Sequence, residues 1–365
     1  MKISRLLAFS RKEALEIVRD PITVWIALFM PLVMLFLFGY ALSFDVEEAP
    51  LLIVDHDKSV ASRALSDQFV NTSYFHLAGA PENERVAEHA LMIGKARAVL
   101  SIPNGFGRRL ERGEAAPVEF VVDGTYATTG AIVSAYGRAI MYAFPGGTLD
   151  LPVQPQIRVW YNPQLRSRDF IVPGLFAVIL MAFPPLLTAL AVAREKELGT
   201  IAQIYASPMT RLEFIGGKLL PYALIASLQL GIVYAAGFLW FKTPINGSLT
   251  LFTLLGLLYV ISTVSIGLLI STIVRTQLAA VLVTLVATLM PSFLFSGFVY
   301  PVFTMPEAFQ RYASTIPTMY FIDISRGILM RGAGLLDLWQ SVAVLVGYTL
   351  AVLAAATLLV RKRIA

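Results

Sequence analysis

Two stretches of the 365-residue chain carry side chains whose types and spacing suit chemistry or the transfer of force. In Asp55-His56-Asp57 an imidazole stands between two carboxylates, the donor types of a metal site. The triplet has no spaced partners, and Glu88-His89 lacks the second histidine that an HExxH helix needs. With no cysteine there is no thiolate ligand, disulfide or cysteine nucleophile. No Ser/His/Asp pattern has supporting context, so His56, His76 and His89 read as solvated or capping residues. No catalytic residue, cofactor or metal is expected. The second stretch is Arg194-Glu195-Lys196-Glu197, four consecutive charges directly after an apolar run, followed by Gly199-Thr200, Ser207-Pro208, Glu213 and Gly217-Lys218. The chain contains no GxxxxGK[ST], because Gly217-Lys218 is followed by Leu219 and position 212 is Leu. ATP therefore has no phosphate-cradling loop here, and any ATP-derived energy must arrive through contact with another protein.

The elements that must position these charges are membrane helices. Hydrophobic residues make up 57% and charged residues 15% of the chain, against about 45–50% and about 25% in soluble domains. Uncharged runs place spans at 21–44, 170–193, 219–241, 249–274, 276–296 and 338–360. About 20 helical residues cross the hydrocarbon core, and one central Lys or Asp costs about 2.5–3.5 kcal/mol, so uninterrupted runs of this length are strong signals. The first run exceeds a signal-peptide core and reads as a retained anchor. Thirteen Lys and Arg residues lie at span ends on one side, among them Arg5, Arg11, Lys12, Arg19, Arg194, Lys196, Arg211, Lys218 and Arg275. Both termini are then expected in the cytoplasm, with a short tail at 361–365. Residues 1–20 repeat apolar or small positions at Ile3, Leu6, Leu7, Ser10, Ala14, Ile17 and Val18, the pattern of an amphipathic helix lying on the lipid surface.

Residues 45–168 have the composition of a soluble domain and belong outside. Short strands are expected at 51–54, 74–77, 97–102, 118–122 and 157–161, with helices from Ser59, from Pro81 to Gly94, from Pro103 to Gly113 and over 128–144. The fold class is a membrane all-α bundle of six transmembrane helices with an inserted α+β extracytoplasmic domain between spans one and two. The fifth run, Thr276 to Pro306, is longer than one span needs and holds Pro291, Gly297, Pro301 and Pro306. A helix to about Phe295 followed by a broken, re-entrant exterior segment over 297–336 is expected. Its aromatics Phe293, Phe295, Phe298 and Tyr300, with Pro301, suit either an exit gate or an interfacial belt. No ionisable residue lies in a central span, which disfavours proton or sodium coupling and favours an apolar or amphipathic cargo.

The cytoplasmic segment 194–218 resembles the REKE-x-GT…SP…E…GK signature of ABC-2 type transporter permeases. Other segments are similar to the large-domain, multidrug-export branch of that family: Ile102-Pro103 with Phe106 and Gly113, Val122-Asp123-Gly124, Tyr161-Asn162-Pro163, Val172-Pro173-Gly174, and Ser296-Gly297 with Pro301, Met305-Pro306, Pro317, Arg326 and Gly332. The resemblance implies a permease working with an ATP-binding cassette subunit, which binds the ATP, and with a second copy or paralogue. It extends to a periplasmic adaptor and outer-membrane channel. Arg194, Glu195, Lys196, Glu197, Gly199, Thr200, Pro208, Glu213 and Lys218 would then form the coupling segment. A permease for polysaccharide or glycolipid, and a non-transporting receptor or assembly protein, are the alternatives. Membrane lipid is an expected partner and nucleic acid is not.

Overall fold

Long uncharged runs leave the backbone no partner in lipid but itself, and the chain answers with helices. The computed structural model describes residues 3–42, 48–123, 127–144, 166–202, 207 and 209–359. It divides into two units, Met1–Ser43 with Val159–Ala365, and Phe44–Arg158. Helix α1 (Ile3–Arg19) buries Phe9, Ser10, Glu13 and Ile17, one stripe at three- and four-residue spacing, while Ile3, Leu7 and Val18 stay exposed. The stripe read from the sequence as facing lipid is thus only partly the stripe that packs on protein. The cause is a glycine in the helix that begins at Arg211: a Cβ on Gly217 would lie 2.4 Å from Phe9, so the phenyl ring takes that place. Helix α2 (Pro21–Ala41) opens on Asp20, whose carboxylate accepts from the amides of Ile22 and Thr23, with Pro21 at the first helical position.

Among the described residues, the Phe44–Arg158 unit is built on a four-stranded sheet in the order β2-β1-β3-β4. Strand β1 (Ala49–Asp55) precedes α3 (Val60–Val70), β2 (Phe75–Gly79) and α4 (Glu84–Met92). Strand β3 (Ala98–Ile102) is followed by α5 (Phe106–Glu111), β4 (Glu119–Val122) and α6 (Ala127–Ala143). The apolar run Leu51-Leu52-Ile53-Val54 suits a central parallel strand covered on both faces, and β1 pairs in parallel with both β2 and β3. Leu51, Leu100, Ile102, Phe69 and Val133 form the core between sheet and helices. Two helix starts differ from the sequence expectation. Asn83 accepts from the Arg85 amide, so α4 begins at Glu84 rather than Pro81. Gly105 adopts φ 83° ahead of α5, which starts at Phe106 rather than Pro103. Among the described residues, none of the three histidines joins a cluster of three ligand-type side chains. The strand expected at 157–161 lies outside the described residues.

Among the described residues, six helices of the other unit are long and apolar enough to cross a membrane: α2, α7 (Ser167–Glu197), α8 (Arg211–Leu239), α9 (Leu249–Ile273), α10 (Gln277–Leu294) and α13 (Trp339–Leu359). In the most apolar window of α7, 78% of residues are buried, against 22% in α2, α10 and α13, so α7 is the central post. Helix α9 meets it backbone to backbone where Gly267 faces Pro185; a Cβ there would fall 2.5 Å from the Pro185 carbonyl oxygen. In α10 the small residues Ala280, Thr284, Thr288 and Ser292, and Ser296 just past its end, are all at most 1% exposed. A four-residue repeat drifts about 40° per step on an ideal α-helix. The π-helical turn Leu285–Leu289 has a wider winding that takes up this drift and keeps the stripe on one face. After α10 the chain turns at Gly297 (φ 81°), then forms α11 (Glu307–Ala313) and the buried α12 (Pro317–Leu329). Hydroxyls complete the backbone here: Tyr259 donates to Ala177 O at 3.0 Å and Ser325 to Pro173 O at 2.8 Å.

Candidate functional site: a charged joint at one end of the bundle

Successive residues of a helix point about 100° apart, so four consecutive side chains face nearly every direction around it. Arg194, Glu195, Lys196 and Glu197 form the last turn of α7, and each engages a different neighbour. Arg194 pairs with Asp20 at 2.5 Å, the residue that caps α2. Glu195 lies 2.8 Å from Lys218 of α8 and 3.1 Å from Lys12 of α1. Lys196 donates to the carbonyls that end α9, to Val274 O at 2.9 Å and to Ser271 O. Glu197 accepts from the Gln277 amide at 2.8 Å, the first residue of α10. Lys196 meets a helix C-terminus and Glu197 an N-terminus, each matched to the partial charge there. One turn of the central helix thereby fastens α1, α2, α8, α9 and α10.

Lys218 is the deepest member, fully buried, with Glu13 at 2.8 Å and Glu195 at 2.8 Å. Its ammonium stands 5.6 Å and 5.7 Å from the ring centres of Phe9 and Phe214. Lys12 adds contacts to Glu13 at 3.2 Å and Glu16 at 2.8 Å. Burial pushes the Glu13 carboxyl above its usual range, against the pull of the Lys218 ammonium. For Lys12 the desolvation of a half-buried ammonium is outweighed by Glu16, Glu13 and Glu195, and its pKa is raised. Glu13, Glu16 and Glu195 place carboxylate oxygens within 4.8 Å of one another, as a cation site would. Two ammonium groups already stand against those oxygens, so the set is an ion-pair network in its own right. Glu13 and Asp20 were missed from sequence. The available signal was a carboxylate at the spacing of the apolar face Phe9, Ser10, Glu13, Ile17.

The other residues of the expected coupling segment have separate tasks. Gly199, at φ 76°, ends α7 in the left-handed conformation that glycine takes without strain, and the Thr200 hydroxyl donates to Glu195 O at 3.3 Å. Leu198, Gly199 and Thr200 are exposed. Glu213 is buried and closes a capping box with Thr210 at the start of α8. Pro208 lies outside the described residues. The aromatic residues take different places in the chain. Phe298 is 1% exposed and packs on Gly174, where a Cβ would lie 2.7 Å from the ring. Phe293 stands between Phe38 and Phe298, each 5.2 Å away, and Phe295 stacks on Phe309 at 5.2 Å. Tyr300 and Pro301 are exposed.

The family model for ABC-2 family transporter proteins matches residues 21–358. The "Probable multidrug ABC transporter permease YbhR" of Escherichia coli is 32% identical over 365 residues, 99% of each chain. The "Probable multidrug ABC transporter permease YbhS" of the same organism is 31% identical over 336 residues, 90% of this chain and 89% of that protein. The "Inner membrane transport permease YhhJ" of Escherichia coli is 29% identical over 331 residues, covering 87% and 86%. With six membrane-length helices among the described residues, five of them joined at the charged turn that ends α7, and a match across nearly the whole sequence, the chain belongs to the ABC-2 family of transporter proteins.

Proposed function

We propose that the chain is the membrane-spanning permease subunit of an ATP-driven exporter that moves hydrophobic or amphipathic drug-like molecules outward across a bacterial inner membrane. ATP is bound and hydrolysed by a separate cassette subunit on the cytoplasmic face, and a second permease copy or paralogue completes the path. Both termini are cytoplasmic and the Phe44–Arg158 unit is extracytoplasmic, positioned to meet a periplasmic adaptor. The observation that carries this reading is the charged joint: a cassette subunit pressing on exposed Leu198, Gly199 and Thr200 moves the one turn that is bonded to five neighbouring helices. Force applied there reaches the bundle without ATP touching this chain. The multidrug names of the Escherichia coli relatives support the cargo class.

Affinity purification from native membranes in mild detergent tests the proposal. A Walker-type ATPase should co-purify, and vesicles holding both subunits should expel a hydrophobic dye only when ATP is supplied. A chain that purifies without any ATPase and leaves dye in place is a receptor or assembly protein, and the exporter reading fails.

A further inference from the structure

Between the first turn of α7, the turn after α10 and the body of α12 lies a cavity of about 470 Å³. Phe170, Val302, Met319 and Ile322 contribute apolar wall, and the ionised residues on it are Asp323, Arg326 and Arg331. Two of these cancel: Arg331 pairs with Asp323 at 2.8 Å, and the Ser341 hydroxyl donates to the same carboxylate at 2.7 Å. Arg326 is left. Its guanidinium donates from Nε to Phe170 O at 3.3 Å, from Nη1 to Gly297 O at 2.8 Å and from Nη2 to Phe298 O at 3.1 Å. It also lies 3.5 Å from the centre of the Phe170 ring. Among the described residues no carboxylate stands within 4.0 Å of it. Carbonyl dipoles and an aromatic face orient a cation but carry no net charge. A guanidinium has five N–H donors, so among the described residues one on each terminal nitrogen has no acceptor, and donors of this kind bind carboxylate, sulfonate or phosphate. A desolvated cation without counter-charge is costly, and an anion entering the cavity relieves that cost.

We infer that this cavity binds the anionic head of an amphipathic molecule, with the head on Arg326 and the apolar body along Val302, Met319 and Ile322. The site is separate from the charged joint: Phe170 and Glu195 lie near opposite ends of α7, about 37 Å apart along its axis. It stands whether or not the chain transports. A free amphiphile and a membrane lipid share the chemistry, and the test separates them.

The full chain is placed in nanodiscs of phosphatidylcholine and photolabelled with a diazirine-bearing fatty acid or with its methyl ester, and the labelled peptides are mapped by mass spectrometry. Peptides covering 299–305 and 319–331 should take up at least tenfold more of the acid than of the ester. Arg326→Gln should bring that ratio to about one, and Arg326→Lys should retain much of it. Met319→Trp fills the cavity while leaving Arg326 in place, and should abolish the preference by itself if Arg326→Gln does not fold. Equal labelling by acid and ester in the unaltered protein, or a preference that survives either Arg326→Gln or Met319→Trp, overturns the inference. Replacing part of the phosphatidylcholine by phosphatidylglycerol then identifies the occupant. Suppressed labelling upholds the site as one for a lipid head, and undiminished labelling upholds it as one for a free amphiphile.

Discussion

Lys218 is fully buried between two carboxylates that are themselves largely buried, so its removal does more than delete an ion pair. Lys218→Met leaves Glu13 and Glu195 facing each other with Lys12 as the remaining cation. Loss of one partner from a buried pair costs about 3–5 kcal/mol, and thermal unfolding in detergent should fall accordingly. Adding Glu13→Gln to Lys218→Met should restore part of the loss, because the stranded charge goes with it. A double variant no more stable than Lys218→Met would show that Glu13 is not held by this lysine. Asp57 gives a pH-dependent case. Hydrogen bonds from Ser59 and from the Gly107 and Gly105 amides, the latter at 2.8 Å and 2.7 Å, hold its carboxyl below the usual range. A carboxylate lowered in the folded state adds stability that is complete above its unfolded pKa, about 4, and disappears as pH falls through the lower folded value. Hydrogen exchange of the Gly105 and Gly107 amides, corrected for intrinsic rate, should therefore lose protection only in acid. In Asp57→Asn that acid-dependent step should be missing.

At the scale of elements, helix contacts are set by where glycine removes a side chain. Gly267 brings α9 against the backbone of α7 at Pro185, which cannot move aside as a flexible side chain would. Gly267→Ala should destabilise the protein by about 1–3 kcal/mol, the usual cost of overpacking. A methyl group added at Gly347 on α13 would meet no atom within 4 Å, so Gly347→Ala should be neutral or stabilising by about 0.5–1 kcal/mol. Unfolding midpoints of the two variants, measured in one detergent, should move in opposite directions or differ by several degrees. The π-helical turn of α10 belongs to the same scale. Its presence was not readable from composition, since Leu285–Leu289 is ordinary apolar sequence, and only the need to keep Thr284, Thr288 and Ser292 on one face gives it a reason.

For the molecule as a whole, α7 joins the charged joint to the Arg326 cavity, and the proposed ATPase contact sits at one end of it. Glu197→Lys removes the acceptor of the Gln277 amide and places like charge beside a helix start. The variant should insert and bind its ATPase normally, while cargo-stimulated hydrolysis falls about five- to tenfold, the lower part of the range for coupling between sites. Unchanged stimulation would mean that α10 does not receive its motion through this bond.

The six membrane helices were legible because lipid offers a backbone no hydrogen-bond partner, so each long uncharged run had to become a helix. The REKE turn was legible as four charges, and its separate ties were not. The sequence determined which residues were charged and that the chain must cross a bilayer. The tertiary structure alone decided that Lys218 meets Glu13, Lys12 meets Glu195 and Arg194 meets Asp20, contacts spanning 205, 183 and 174 residues of chain. The physical reason is that a helix fixes only the direction in which a side chain leaves its axis; what waits there depends on which other helix has been packed beside it.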